Sequence, residues 1–245
     1  MILLHLALAA LPPLGLMIFF YLKDRYEPEP HGHVALAFMK GIEAMLIAYA
    51  LSWALGRVVG DVWLALGGLP ARLFEGFVLA GAVEEFAKWW TFLTVIYHWD
   101  EFDEPLDGVI YGVALALGLA TVENILVVLR QGFSTGILRA IFTVPAHALT
   151  GATMGYFFGR AKLGNGRRGS EVARADRLRR GLYALLVPIA FHGAFDFGVL
   201  ELRPLGNIAY LGIGLLSLGV WVLVLRALDR AREDSPFRKV QDQVE

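Results

Sequence analysis

Two adjacent glutamates lie in the middle of an apolar stretch that is long enough to cross a lipid bilayer. Glu84 and Glu85, followed by Lys88, interrupt the apolar residues 73–97. An ionised side chain near the bilayer midplane costs roughly 2.5–3.5 kcal/mol on insertion scales, so such residues normally face a bundle interior or a watery cavity. The pair therefore predicts a buried polar site within a membrane.

Other apolar stretches carry ionisable residues as well. Glu123 with Asn124 lies in one, His147 in a second, and His192 with Asp196 in a third. When the helical rise is counted from the predicted outer ends, these groups and the glutamate pair all fall between the midplane and the outer leaflet. This agreement in depth predicts one site built by four helices.

The local spacing suggests how the charges are shared. Lys88 follows Glu84 by four residues and Glu85 by three, so it can neutralise one of the two carboxylates from the same helix face. Neighbouring side chains on a helix point in different directions, and we expect Glu84 to face the cavity with Glu85 as its close partner; the reverse assignment is left open. His192 and Asp196 are four residues apart, which lets the carboxylate orient the imidazole.

Carboxylates and imidazoles inside a membrane suit the activation of water for peptide hydrolysis. A glutamate can take a proton from water and later give it to the leaving amine, while a histidine stabilises the oxyanion. The same side chains could instead hold a metal ion such as zinc, and spacing does not decide between the two. We predict a glutamate mechanism without a cofactor, with zinc as the alternative. The predicted catalytic residues are Glu84, Glu85, Glu123, His147 and His192, supported by Lys88, Asn124 and Asp196.

Composition defines the class of protein that must position these residues. The chain is 57% hydrophobic and only 18% charged, which is typical of polytopic membrane proteins. A net charge of -1 does not favour nucleic-acid binding. The absence of cysteine excludes disulfides, thiolate metal centres and a cysteine nucleophile.

Apolar runs of about 20 residues predict an all-α transmembrane bundle of seven helices. Breaks rich in glycine, proline or charge separate them, and the longest predicted loop is the basic stretch 160–180. Pro12 and Pro13 are expected to kink or divide the first helix. We predict one catalytic domain over residues 1–230 and a basic, polar tail over 231–245. The predicted helices are roughly 2–22, 33–56, 73–97, 106–129, 137–159, 181–200 and 205–227.

The basic residues predict how the chain is oriented. With the N-terminus outside and the C-terminus in the cytoplasm, fifteen of them lie inside and five lie outside, as the positive-inside rule prefers. The first apolar segment has no positive residues before it, so we expect a retained helix and not a cleaved signal peptide. The predicted location is the cell membrane, crossed several times.

Small residues at four-residue steps predict two helix-packing faces. Such faces allow helices to approach each other very closely in a membrane. One face continues from His147 and the other lies on the preceding helix. The residues are Gly151, Gly155 and Gly159 on the first, and Gly108, Gly112, Ala116 and Ala120 on the second.

Five motifs follow one another along the chain. They are Asp24-Arg25-Tyr26-Glu27-Pro28-Glu29-Pro30, Glu84-Glu85-x-x-Lys88, Glu123-Asn124, His147-x-x-x-Gly151 and His192-x-x-x-Asp196. In this order, the motifs resemble those of the PrsW family of intramembrane proteases, over roughly residues 20–200. The resemblance implies site-1 cleavage of a single-pass membrane protein, in the best-known case an anti-sigma factor, at the start of a proteolytic cascade. It also implies that Glu84, Glu85 and His192 are indispensable, with His147 and Glu123 close by.

The family is similar to the clan of CAAX-processing endopeptidases, from which this chain departs in one motif. Leu119 stands where that clan usually has an aromatic residue, and Glu123 stands where CAAX peptidases have histidine. This departure argues against prenylated substrates. Two other functions stay open: a proton- or ion-coupled transporter, although no convincing internal repeat supports it, and a noncatalytic scaffold. The sequence names neither the substrate nor the oligomeric state.

Overall fold

The fold is a bundle of helices, seen in a computed structural model that describes residues 2–24, 27–163, 170–202, 207–233, 235 and 237. In that part of the chain every regular element is helical, which confirms the predicted all-α class. The segments are α1 (Ile2–Tyr21), α2 (31–66), α3 (68–94), α4 (Pro105–Gln131), α5 (133–163), α6 (Ser170–Leu202) and α7 (Asn207–Glu233). The seven helical segments agree in number with the prediction.

Five helices of the described chain are long and apolar enough to cross a bilayer. The two remaining segments, α3 and α5, carry Glu84, Glu85, Lys88 and His147 of the predicted site. Helices of this kind can cross a membrane when their polar groups face the bundle interior. The orientation of the termini stays a prediction. The five spans are Ile2–Tyr21, His31–Trp63, Pro105–Gln131, Glu171–Val199 and Leu211–Glu233.

Helix α6 corrects the predicted loop. It begins at Ser170, and α5 ends at Leu163, so the prediction of a loop over 160–180 is wrong for residues 160–163 and 170–180, which are helical. Asp176 explains the extension, because its two carboxylate oxygens accept hydrogen bonds from Arg179 at 2.6 Å and Arg180 at 2.9 Å. Pairs spaced by one turn stabilise a helix that leaves the apolar region.

The first helix is not divided, and the last helix extends into the predicted tail. Helix α1 continues through Pro12 and Pro13, so the two prolines do not divide it. Neighbouring helices make such prolines tolerable in membrane bundles, and Pro13 is buried against them. At the other end, α7 extends to Glu233 and Ser235 is buried. Apart from these residues and Phe237, the predicted tail lies outside the described residues.

Helix α4 forms the centre of the bundle. It is buried without interruption from Pro105 to Thr121 and contacts α1, α2, α5 and α7. Its closest contact is with α5, where the two strips of small residues meet. A Cβ atom on Gly155 would overlap the carbonyl oxygen of Gly108, and one on Gly159 would lie 2.7 Å from the carbonyl oxygen of Pro105. The predicted close packing of these two faces is confirmed.

This packing predicts a large effect of a single methyl group. Gly155→Ala should lower the free energy of unfolding by about 1–3 kcal/mol, because the added atom forces two backbones apart. Gly219→Ala on α7 is the matched control, since nothing lies within 4 Å of its would-be Cβ atom. Thermal unfolding in detergent would compare the two variants. Equal melting temperatures would show that the α4–α5 contact tolerates separation.

Candidate active site

The structure brings the predicted site residues together inside the bundle. Four helices contribute, and each presents its polar side chains towards the space between α3, α4, α5 and α6. Helix α3 supplies Glu84, Glu85 and Lys88, α4 supplies Glu123 and Asn124, α5 supplies His147, and α6 supplies His192 and Asp196.

A buried ion pair holds one side of the cluster. The Lys88 ammonium donates a short hydrogen bond to Glu85 Oε1, and both side chains are fully buried. The same carboxylate oxygen lies 2.7 Å from His192 Nδ1. Lys88 also donates to Thr150 Oγ1 at 3.3 Å. Glu85 is therefore committed to a lysine and a histidine, as expected for a residue that positions others.

A second ion pair holds the opposite side. Glu123 Oε2 lies 3.0 Å from His147 Nε2 and 2.7 Å from the guanidinium of Arg139. Arg139 Nε donates to Asn124 Oδ1 at 2.6 Å, and Asn124 donates in turn to the carbonyl oxygen of Ala9 on α1 at 3.4 Å. Glu85 and Glu123 thus each contact one histidine of the site and one cation.

Between the two pairs, three groups converge. Glu84, His147 and His192 each offer one oxygen or nitrogen atom, and these atoms lie within 4.8 Å of one another. Glu84 Oε2 and His147 Nδ1 are buried and have no hydrogen-bond partner among the described residues. His192 Nε2 lies 3.5 Å from Asp196 Oδ2. Buried polar atoms without partners point to a ligand, a water or an ion between them.

The same three residues fit a metal ion. Two imidazoles and one carboxylate form a donor set that catalytic zinc uses in proteins. Metal-bound histidines usually hold their second ring nitrogen against a carboxylate. Here Glu85 contacts His192 Nδ1 and Glu123 contacts His147 Nε2. This leaves His147 Nδ1 for a metal, while His192 Nε2 also lies 3.5 Å from Asp196 Oδ2.

Two π-helical turns precede the site residues in the chain. One covers Phe74–Ala82 within α3, directly before the α-helical part that carries Glu84. The other covers Arg139–Thr143 within α5, directly before the α-helical part that carries His147. A π-helical turn places extra residues in the helix and rotates the side chains that follow, and such turns are frequent at functional sites. Their positions cannot be read from the apolar pattern.

Sequence reasoning missed Arg139 and Thr150. Arg139 counted only as a basic residue on the outer side, yet it contacts both Glu123 and Asn124. Its position about two turns before His147 is a weak signal, because the π-helical turn between them alters which face it shares. Nothing in the sequence marks Thr150 as a site residue apart from its position on the glycine-rich helix.

The fold and this cluster define a polytopic membrane protein with a glutamate–histidine site inside its bundle. Residues 29–227 match a family described as "PrsW family intramembrane metalloprotease". The chain belongs to this PrsW family of intramembrane proteases, as the motifs predicted. It is accordingly a multi-pass protein of the cell membrane.

Individual relatives support the same assignment. The chain is 36% identical over 226 residues to Protease PrsW of Geobacillus kaustophilus, covering 90% of this chain and 89% of the relative. It is 32% identical over 221 residues to Protease PrsW of Bacillus subtilis, covering 90% and 92%. For Protease PrsW of Clostridioides difficile the identity is 34% over 194 residues, covering 78% and 76%. No solved structure matches the chain.

The buried ion pair predicts a severe loss of stability when its cation is removed. Lys88→Met should cost about 3–5 kcal/mol of unfolding free energy, because Glu85 would keep its charge with only His192 beside it. Lys40→Met is the matched control, since Lys40 pairs with Glu43 at 2.7 Å where both are partly exposed. Unfolding in detergent would measure both variants. If Lys88→Met melted with the wild type, Glu85 would not depend on this lysine.

Proposed function

We propose that the protein is an intramembrane endopeptidase in which Glu84 acts as the general base on water. The observation that carries this proposal is the difference in ion pairing between the three glutamates. Glu85 pairs with Lys88 and His192, and Glu123 pairs with Arg139 and His147. Glu84 has no ion-pair partner among the described residues, and its buried Oε2 accepts no hydrogen bond there. A general base needs a lone pair that is not already committed.

The reaction follows from this arrangement. Glu84 takes a proton from water, and the water oxygen bonds to the carbonyl carbon of the scissile peptide while the carbonyl electron pair moves onto oxygen. The oxyanion then collapses, the carbon–nitrogen bond breaks, and Glu84 gives its proton to the leaving nitrogen. The products are a new carboxyl end and a new amine end.

His192 is positioned to stabilise the oxyanion. Its Nδ1 lies 2.7 Å from Glu85, which holds the ring, and its Nε2 lies 3.5 Å from Asp196. A proton on Nε2 could be donated to the developing charge, an interaction that is strong in a site with little water. Glu85 and Lys88 position this ring, and Glu123 and Arg139 position His147.

A metal-dependent form of the same activity is the second candidate. It is favoured by the donor set of Glu84, His147 and His192 and by the description of the matched family as metalloproteases. Zinc bound by these residues would lower the pKa of its water to about 7. Glu85 and Glu123 would then hold the two imidazoles in the orientation and tautomer needed for binding.

We further propose that the substrate is a single-pass membrane protein, cut near the outer boundary. A cavity of about 280 Å³ between α4, α5, α6 and α7 supports this proposal. Arg139 lines the cavity and also contacts Glu123, so the cavity adjoins the site. It lies at the end of α4 that is predicted to face outwards. By its likeness to the family, an anti-sigma-factor-like protein is the expected substrate type.

Replacing the proposed base should remove activity while keeping the fold. Glu84→Gln should reduce cleavage by about 10²–10⁴-fold, because the amide cannot accept the proton. Glu43→Gln is the control, since Glu43 forms only a local pair with Lys40. Both would be tested in liposomes with a panel of single-pass membrane segments, with mass spectrometry of the products. Equal cleavage by wild type and Glu84→Gln would exclude Glu84 as the base.

A chelator separates the two forms of the mechanism. Cleavage by the wild type should survive extended treatment with a chelator that removes zinc, because a glutamate mechanism needs no metal. Loss of cleavage that added zinc restores would establish the metal-dependent form instead. If no segment is cut, measurement of proton flux in the same liposomes would test the transporter alternative.

A further inference from the structure

A second group of buried carboxyl side chains lies far from the proposed active site. It contains Asp24 after α1, and Glu104 and Asp107 at the start of α4. Asp107 and Glu123 are on the same helix, and the rise per residue places them about 24 Å apart. The group lies at the end of the bundle that is predicted to face the cytoplasm, so it cannot share the reaction at Glu84.

The three carboxyl groups are close together and deeply buried. Each offers one oxygen, and these oxygens lie within 4.8 Å of one another. Asp24 is 4% exposed, Glu104 0% and Asp107 1%. Buried carboxylates repel one another and lose their hydration, so a cluster of this kind needs protons or a cation to balance it.

Several carboxylate oxygens of the group accept no hydrogen bond from the described residues. Both oxygens of Asp24, Oε1 of Glu104 and Oδ1 of Asp107 have no aligned hydrogen bond within the described chain. The other oxygens are engaged: Glu104 Oε2 accepts from Ser235, and Asp107 Oδ2 accepts from the backbone N–H of Glu104 at 2.7 Å. The engaged oxygens hold the carboxyl groups in place while the remaining ones converge.

From this geometry we propose that Asp24, Glu104 and Asp107 bind a hard divalent cation of the Mg²⁺ or Ca²⁺ type. Carboxylate oxygens are the ligands such ions prefer, and no histidine or sulfur ligand contributes to this trio. The active-site trio contains two imidazoles and suits zinc instead. The two sites therefore differ in chemistry as well as in position.

The surroundings support a cation. Burial raises the pKa of Asp24 to about 6, and the nearby backbone N–H groups of Glu29 and Glu27 offset only part of that increase. Burial likewise raises the pKa of Glu104 to about 7. A cavity of about 290 Å³ is lined by further acidic residues, among them Asp103, which precedes Glu104 in the chain. Its acidic residues are Glu27, Glu29, Asp100, Glu101 and Asp103.

The cation would join two parts of the chain at a place where a third part also meets them. Asp24 belongs to the link between α1 and α2, while Glu104 and Asp107 begin α4. The end of α7 meets the same place, since Arg232 Nε donates to the carbonyl oxygen of Lys23 at 2.8 Å and Ser235 donates to Glu104. Binding should therefore stabilise the whole bundle, because a ligand bound only by the folded state shifts the unfolding equilibrium.

The test is metal binding to the full-length protein in detergent after all metal has been stripped. Mn²⁺ serves as the probe, its free concentration followed by electron paramagnetic resonance, with Mg²⁺ and Ca²⁺ as competitors. We expect one saturable site and a melting temperature that rises with the Mn²⁺ concentration. Asp24→Asn should weaken binding by at least about tenfold. Glu104→Gln provides a second test if Asp24→Asn does not fold.

Two further variants serve as controls. Glu101→Gln changes an exposed acid beside the cavity and should bind Mn²⁺ as the wild type does. Glu84→Gln changes the active-site trio and should also leave this binding intact. Loss of binding in Glu84→Gln alone would place the ion in the membrane site and overturn the proposal. Absence of saturable binding and of any rise in melting temperature would show that the carboxyl groups are balanced by protons.

Discussion

The close contact between α4 and α5 is the constraint on which the rest of the structure depends. Glycines on both helices allow backbone atoms to touch where side chains would normally separate them. This contact sets the distance between Glu123 on α4 and His147 on α5, which are 3.0 Å apart at their nearest polar atoms. It also leaves α4 buried from Pro105 to Thr121, which keeps the polar groups at the start of this helix away from lipid.

Electrostatic pairing distinguishes the polar groups of the site from one another. Inside a membrane bundle, a charged side chain without a partner is costly, and most charges here are paired. Lys88 and Arg139 neutralise Glu85 and Glu123, and those two carboxylates hold His192 and His147. The two pairs thus hold both imidazole rings in place. Among the described residues Glu84 has no ion-pair partner, and this difference from Glu85 and Glu123 supports its proposed role as the base.

Much of the site could be predicted because membrane burial makes polar residues conspicuous. Glu84, Glu85, His147 and His192 stand out within apolar stretches, and the spacing of Lys88 from Glu85 anticipates the pair that the structure contains. The number of helices followed from the same apolar pattern. The prediction of a long basic loop was partly wrong because it treated Arg179 and Arg180 only as loop charges. In the structure both form hydrogen bonds with Asp176 one turn earlier on the same helix.

The sequence alone determined the membrane class, the family and the residue types of the site, because each depends on composition, on apolar length or on motifs in order. Tertiary structure decided how adjacent Glu84 and Glu85 differ, since α6 brings His192 to the Glu85 oxygen that Lys88 of the same helix already contacts. It also decided that Arg139 contacts Glu123, through a π-helical turn that changes the face of α5. The clustering of Asp24 with Glu104 and Asp107 likewise depends on where distant segments of the chain meet, and the spacing of residues along the sequence does not predict this.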